Sequence, residues 1–134
     1  MPGERAFLDT NILVYASLTG DPKAATGKAV RDAGGVISVQ VLNELANVLR
    51  RKLSRPWDTV GEILTITRQL LEVVPLTEEV HEAGLRLAER YSLSIYDAMI
   101  AAAALASGCD TLWSEDMQHD MLIEGRLRIR NPFL

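Results

Sequence analysis

Apolar residues along the chain fall into short runs and longer stripes, and the two spacings predict different elements. Ala6-Phe7-Leu8 is a run of three, closed at once by Asp9, Thr10 and Asn11, and reads as a buried strand ending at Asp9. Ile12 to Leu18 predicts a short apolar helix, ended by Gly20-Asp21-Pro22. A second helix is expected from about Pro22 to Ala33, with the proline in its first turn and Gly34-Gly35 as its stop. Val36-Ile37-Ser38 is a second short strand, and Ser38 suits the N-cap of a helix from Val39 to about Leu53. That helix carries a stripe of Val41, Leu42, Leu45, Ala46, Val48, Leu49 and Leu53, with Glu44 just off one edge.

Pro56 opens a further helix with Trp57, Val60, Ile63, Leu64, Leu70 and Leu71 on roughly one face. Val73-Val74 is a third strand. Thr77 caps the next helix, which runs to about Tyr91 with Glu78 and Glu79 in its first turn, where they suit the helix dipole. Ser94 caps a helix from Ile95 to Ala106 that is apolar almost all round, so it is expected to be buried; Gly108 ends it. Thr111-Leu112-Trp113 is a fourth strand, and the alternating Leu127 to Arg130 predicts a last strand at the sheet edge. Short apolar strands alternating with helices predict an α/β fold around a parallel sheet.

Length and composition narrow this picture. The chain has 134 residues and is 48% hydrophobic, enough for one domain over residues 1–134 with a proper core. A single cysteine, Cys109, excludes an internal disulfide and a thiolate metal cluster, and His81 and His119 lack zinc-motif spacing. Met1 to Arg5 is polar and Asp9 interrupts the apolar run after it, so no signal peptide is expected. No stretch reaches the ~18 apolar residues of a membrane span, and a cytoplasmic location without a membrane partner is the expectation. The net charge of −4 argues against a nucleic-acid partner until its distribution is considered. Setting aside four acids of the 18 leaves as many as the 14 basic residues, so the acidity can belong to one site.

Asp9 is the first candidate for that site. A carboxylate between two apolar runs loses several kcal/mol of hydration unless it caps a helix, pairs with a base or holds a cation. Ligands of parallel α/β sheets bind beyond the carboxyl ends of the strands. Asp9 lies at one such end and Asp116 at another, three residues past Trp113. Glu44 is early on the helix leaving the second strand, and Asp97 is in the first turn of the buried helix. Four clustered carboxylates repel one another and stay ionised together around a hard divalent cation; Mg²⁺ or Mn²⁺ fits an all-oxygen ligand set. Such ions activate water and stabilise the leaving oxygen in many nucleases. Each acid also has a plainer reading. Ser94-x-x-Asp97 matches a capping box, Asp9 suits a turn, Glu44 a solvated helix position, and Asp116 a turn or helix start with Glu115 and Asp120 as competitors. Arg50, Arg51, Lys52 and Arg55 gather at a helix end, as solvated basic groups often do.

Taken together, Phe7-Leu8-Asp9-Thr10-Asn11, Asn43-Glu44-Leu45, Tyr96-Asp97-Ala98-Met99-Ile100-Ala101, Trp113-Ser114-Glu115-Asp116-Met117 and Arg130-Asn131-Pro132-Phe133 resemble the PIN-domain family. Within it, the size and closing motif are similar to VapC toxins of type II toxin–antitoxin modules. The resemblance spans nearly the whole chain. It implies a Rossmann-like three-layer fold, a short central parallel sheet flanked by helices. It further implies a Mg²⁺- or Mn²⁺-dependent endoribonuclease that leaves 5′-phosphate and 3′-hydroxyl ends. Carried over by position, Asp9, Glu44, Asp97 and Asp116 are its metal-binding and catalytic acids, with Asn11 and Ser114 as polar supports. A homodimer and a cognate antitoxin whose C-terminal segment covers the active site are implied as well. Arg50, Arg51, Lys52 and Arg55 are candidates for RNA-backbone contact, and the helix with Trp57, Val60, Ile63 and Leu64 for groove surface or core. Asp120, where similar toxins often have a small residue, is a candidate distal ligand.

Two rivals belong to other classes. A receiver-type signalling module also gathers aspartates and Mg²⁺ at a sheet edge, but needs a lysine late in the chain; the last lysine here is Lys52. A non-catalytic interaction protein would use the same acids only to cap helices.

Overall fold

The central strand β1 (Ala6–Leu8) leads into α1 (Thr10–Ala16) and α2 (Ala24–Asp32), followed by β2 (Val36–Ser38), α3 (Val39–Arg51), α4 (Trp57–Leu70) and β3 (Glu72–Val74). The second half runs through α5 (Glu78–Tyr91), α6 (Ile95–Ala106), β4 (Thr111–Trp113), β5 (Leu122–Ile123) and β6 (Leu127–Arg130). This computed structural model describes residues 5–134, so most of the polar opening, residues 1–4, lies outside the described residues. Among the described residues no helix is long and apolar enough to cross a membrane.

The six strands form one sheet in the order β3-β2-β1-β4-β6-β5, parallel except for the β5–β6 pair. The chain leaves β1 toward β2 and β3, then returns past β1 to β4, with Phe7 level with Val36 on one side and Leu112 on the other. The order therefore reverses between β1 and β4, which opens a crevice at the carboxyl ends of those strands. Right-handed crossovers put α1 to α4 on one face of the sheet and α5 and α6 on the other. The packing agrees: α1 rests on α2 and α3, α3 on α4, and α5 on α6. Phe7, Leu8, Ile37, Leu112 and Ile129 from the sheet are fully buried between these layers.

Local sequence explains each element. α6 is buried from Ala98 to Ala104 because its short side chains let α5 approach closely; a Cβ on Gly84 would stand 2.5 Å from Met99 Sδ. α1 and α2 meet as closely, a Cβ on Gly27 falling 2.9 Å from the backbone nitrogen of Ala16. Thr77 caps α5 and Ser94 caps α6, each hydroxyl accepting a backbone N–H three residues on. Ser38 occupies the N-cap position of α3, but its buried hydroxyl has no hydrogen-bond partner among the described residues. Burial pushes the Cys109 thiol up to about 11, leaving it an inert core group.

Three expectations are corrected. Leu127–Arg130 is not the edge strand: β6 pairs parallel with β4, and the two-residue β5 covers its outer side as a hairpin partner. That strand is too short for periodicity to reveal. α1 starts at Thr10 because Asp9 caps it, two residues before the apolar run. The apolar face expected on α4 is divided, with Val60 buried, Ile63 and Leu64 packed against the core, and Trp57 and Leu70 exposed.

Candidate metal centre

Asp9 follows β1 directly, and its backbone N–H donates to the Trp113 carbonyl at 2.9 Å, extending the β1–β4 pairing by one residue. Its side chain therefore stands at the crevice while only 5% exposed. Oδ1 accepts the Thr10 backbone N–H at 2.7 Å, the N-cap of α1. Oδ2 accepts the Ser114 hydroxyl at 2.7 Å and the Asn11 carboxamide at 3.3 Å. Burial pushes its pKa up to about 6; the bonds from Ser114 and Thr10 hold it back, and the charges of Asp97 and Glu44 add to the rise.

The other acids come from three further elements. Glu44, on α3, accepts the Thr10 hydroxyl on Oε1 at 2.5 Å and the Gln40 carboxamide on Oε2 at 3.3 Å. Gln40 also donates to the Tyr96 carbonyl at 3.1 Å, tying α3 to the start of α6. There Asp97 donates its backbone N–H to Ser94 Oγ at 3.2 Å, and burial, then the charge of Asp116, raises its carboxyl above the usual range. Asp116, past β4, accepts the Asn11 carboxamide at 3.1 Å. All four line one open cleft of about 580 Å³. Asn11 and Ser114, expected as supports, both bond to Asp9, and Ser114 Oγ also accepts the Met117 N–H at 3.2 Å.

The competing acids have other partners. Glu115 accepts Tyr15 Oη at 2.8 Å and pairs with Lys23; burial raises its pKa, but these two bonds outweigh it and hold the carboxyl below its usual range. It lies on the cleft lip, whereas Asp120 is absent from the lining and faces His119 at 3.5 Å. The basic cluster also divides. Lys52 lines the acid cleft, Arg50 and Arg51 line a second groove with Trp57, and Arg55 lines neither.

Thr10 and Gln40 were missed by sequence reasoning. The signal for Gln40 was present, since Gln40 and Glu44 are four apart on one helix. For Thr10 it was masked, because its position beside Asp9 suggested only a strand end or a helix cap.

Among the described residues no three His, Cys, Asp or Glu side chains stand close enough to grip one ion as they are. The donor chemistry still fits a hard cation. Every acid presents oxygen, no thiolate or imidazole intrudes, and the like charges raise the pKa of both Asp9 and Asp97.

A PIN-domain family profile matches residues 6–121. A search of curated protein sequences returns no match. Among solved structures, a toxin–antitoxin complex from Klebsiella pneumoniae superposes with a TM-score of 0.70 at 21% identity, covering 95% of this chain and 97% of that one. VapBC2 from Rickettsia felis, bound to a promoter DNA fragment, gives 0.68 at 23% identity over 94% and 97% of the two chains. VapC20 from Mycobacterium tuberculosis, described as a sarcin–ricin-loop-cleaving toxin, gives 0.68 at 21% identity over 83% and 91%. These likenesses establish a shared fold. With the profile match running from β1 to the threshold of β5, on a sheet whose switch point carries Asp9 and Asp116, the chain belongs to the PIN-domain family.

Proposed function

We propose that this protein is a metal-dependent endoribonuclease, the toxin of a type II toxin–antitoxin pair. One observation carries the reading: the buried Asp9 carboxylate is oriented by three donors and shares its cleft with Glu44, Asp97 and Asp116. A buried acid that only capped α1 would need neither the Ser114 bond nor three acidic neighbours. The toxin assignment is supported by the structural likeness to toxins and toxin–antitoxin complexes.

Asp9 and Asp97 would hold the principal Mg²⁺ or Mn²⁺, with Glu44 and Asp116 completing the site directly or through water. When bound, such an ion neutralises the acids, polarises the scissile phosphate and lowers the pKa of a water nucleophile. The chain's own part is orientation. Ser114 and Thr10 fix both oxygens of Asp9, Thr10 and Gln40 hold Glu44, and Asn11 sets Asp116 relative to Asp9. Hydrolysis adds water to phosphorus, breaks the bond to the 3′ oxygen and protonates that oxygen, leaving 5′-phosphate and 3′-hydroxyl ends. Arg51 and Lys52 are the better-placed backbone contacts, and a homodimer and an antitoxin covering the cleft complete the proposal. The receiver-type alternative gives way to the family match.

The test is cleavage of total RNA by protein stripped of any co-purified partner, with Mg²⁺, with EDTA, and with D9N and D97N. Cleavage that needs both metal and both aspartates supports the reading. A wild type that cuts nothing, and whose thermal stability ignores Mg²⁺, overturns it in favour of a non-catalytic interaction module.

A further inference from the structure

Beside the acid cleft lies a second groove of about 710 Å³, lined by Ala46, Asn47, Arg50, Arg51, Ser54 and Trp57. Asn47 lines both, so the two are neighbours on one surface. One face of α3 makes the join. Glu44, Asn47 and Arg51 are spaced at i, i+3 and i+7, which places them in line along the helix, from carboxylate through carboxamide to guanidinium. The distance from first to last is about 10 Å at 1.5 Å per residue, a short step along an extended strand.

Trp57 opens α4 across this groove and is 66% exposed, although it is the largest apolar side chain type in the chain. The ring is not loose. The Arg50 guanidinium carbon lies 4.8 Å from its centroid, and Arg50 Nη1 donates to the Arg55 carbonyl at 3.0 Å, which pins the cation over the ring. A fixed arginine–indole stack next to a second arginine matches the way single-stranded nucleic acid is held, an aromatic face for a base and positive charge for its phosphate. Arg50 and Arg51 also suit the dipole at the end of α3, and beside the exposed ring they form a local cationic patch on a chain of net charge −4.

We propose that Trp57 and Arg50 form a nucleobase-stacking subsite for an unpaired residue of the RNA flanking the cleaved phosphate, with Arg51 contacting the backbone. This rests on the nuclease reading and narrows its substrate to RNA that is single-stranded beside the cut. It also reassigns Arg50 from a free backbone contact to the support of the stacking ring.

The test measures binding of a fluorescein-labelled, mixed-sequence 2′-O-methyl octaribonucleotide to the full chain with Ca²⁺ in place of Mg²⁺, in wild type, W57F and W57A. Trp57 is exposed, so neither substitution opens the core. The expected result is a loss of about 5- to 100-fold in W57A, the worth of one base stack, with W57F within about threefold of wild type. The salt dependence of binding stays unchanged in W57A and flattens in R51A, since only the latter removes a charge. W57A binding within twofold of wild type, while wild type binds this strand and cuts RNA with Mg²⁺, overturns the subsite and leaves the nuclease intact. W57A that changes the oligomeric state but not RNA affinity makes this a protein-docking face and overturns the subsite too. A wild type that neither binds the strand nor cuts RNA overturns both readings.

Discussion

Asn11 and Asp116 are 105 positions apart, yet the Asn11 carboxamide nitrogen lies 3.1 Å from Asp116 Oδ2 while also reaching Asp9 Oδ2 at 3.3 Å. One neutral donor thus spans two like charges from opposite sides of the crevice. Asn11 Oδ1 also accepts the Glu115 N–H at 3.2 Å, so the same side chain fixes the turn that carries Asp116. N11A should lower RNA cleavage about 10- to 100-fold, the usual effect of losing a group that orients a ligand, with little change in fold. Cleavage rates alongside circular dichroism check this.

Asp9 makes metal-free stability depend on pH. Unfolded, it titrates near 3.8; folded, at about 6. Between these values the folded protein keeps a proton the unfolded chain has released, so stability falls as pH rises from about 4 to 6 and the loss is complete above that. The difference is worth about 3 kcal/mol. In EDTA at pH 7.5, D9N should therefore stabilise by about 1–3 kcal/mol, and at pH 4 it should gain almost nothing. Urea denaturation at the two pH values reads this directly.

Mg²⁺ should reverse that order. An ion that binds only the folded state adds stability that rises with its concentration. Wild type is expected to gain thermal stability on addition of Mg²⁺ and D9N to gain none, as measured by melting temperature across a Mg²⁺ titration.

Thr10 separates orientation of Glu44 from folding. T10V keeps the side-chain shape and removes the 2.5 Å bond to Glu44 Oε1. Cleavage should drop about tenfold or more through the freed carboxylate. The melting temperature should barely move, because the Thr10 backbone bond to Asp9 survives.

Gly27 ties the site to its scaffold. A Cβ there would stand 2.9 Å from Ala16 N, 3.0 Å from the Ile12 carbonyl and 3.1 Å from Tyr15 Cβ, mostly backbone that cannot rotate away. G27A should cost about 1–3 kcal/mol of overpacking, against about 1 kcal/mol regained from helix propensity. A shift of α1 would also carry Thr10 and Asn11 with it. Denaturant midpoint and cleavage rate should fall together.

The sequence made some of this visible and hid the rest for physical reasons. β2, β4 and α6 have the predicted bounds because apolar runs and caps mark their ends. Asp9, Glu44, Asp97 and Asp116 were legible as acids at strand ends and helix starts. What holds them was harder to see. The Thr10–Glu44 and Asn11–Asp116 bonds join residues 34 and 105 positions apart, and no periodicity encodes them. The exposure of Trp57 was hidden by spacing that matches the buried Val60. β5, with two residues, falls below the length at which alternation carries a signal.

The position of β6 bears on the order in which the molecule is made. Ser114, which holds Asp9, is itself held by its backbone N–H to the Arg130 carbonyl at 2.9 Å, and β6 lies inside the sheet beside β4. Asp9 precedes, by more than a hundred residues, the strand that steadies its partner. The acid cluster therefore gains this support only once β6 has joined the sheet, and a chain ended before β6 lacks it. A nuclease built this way would hold its acids in order only when the far end of the domain is in place.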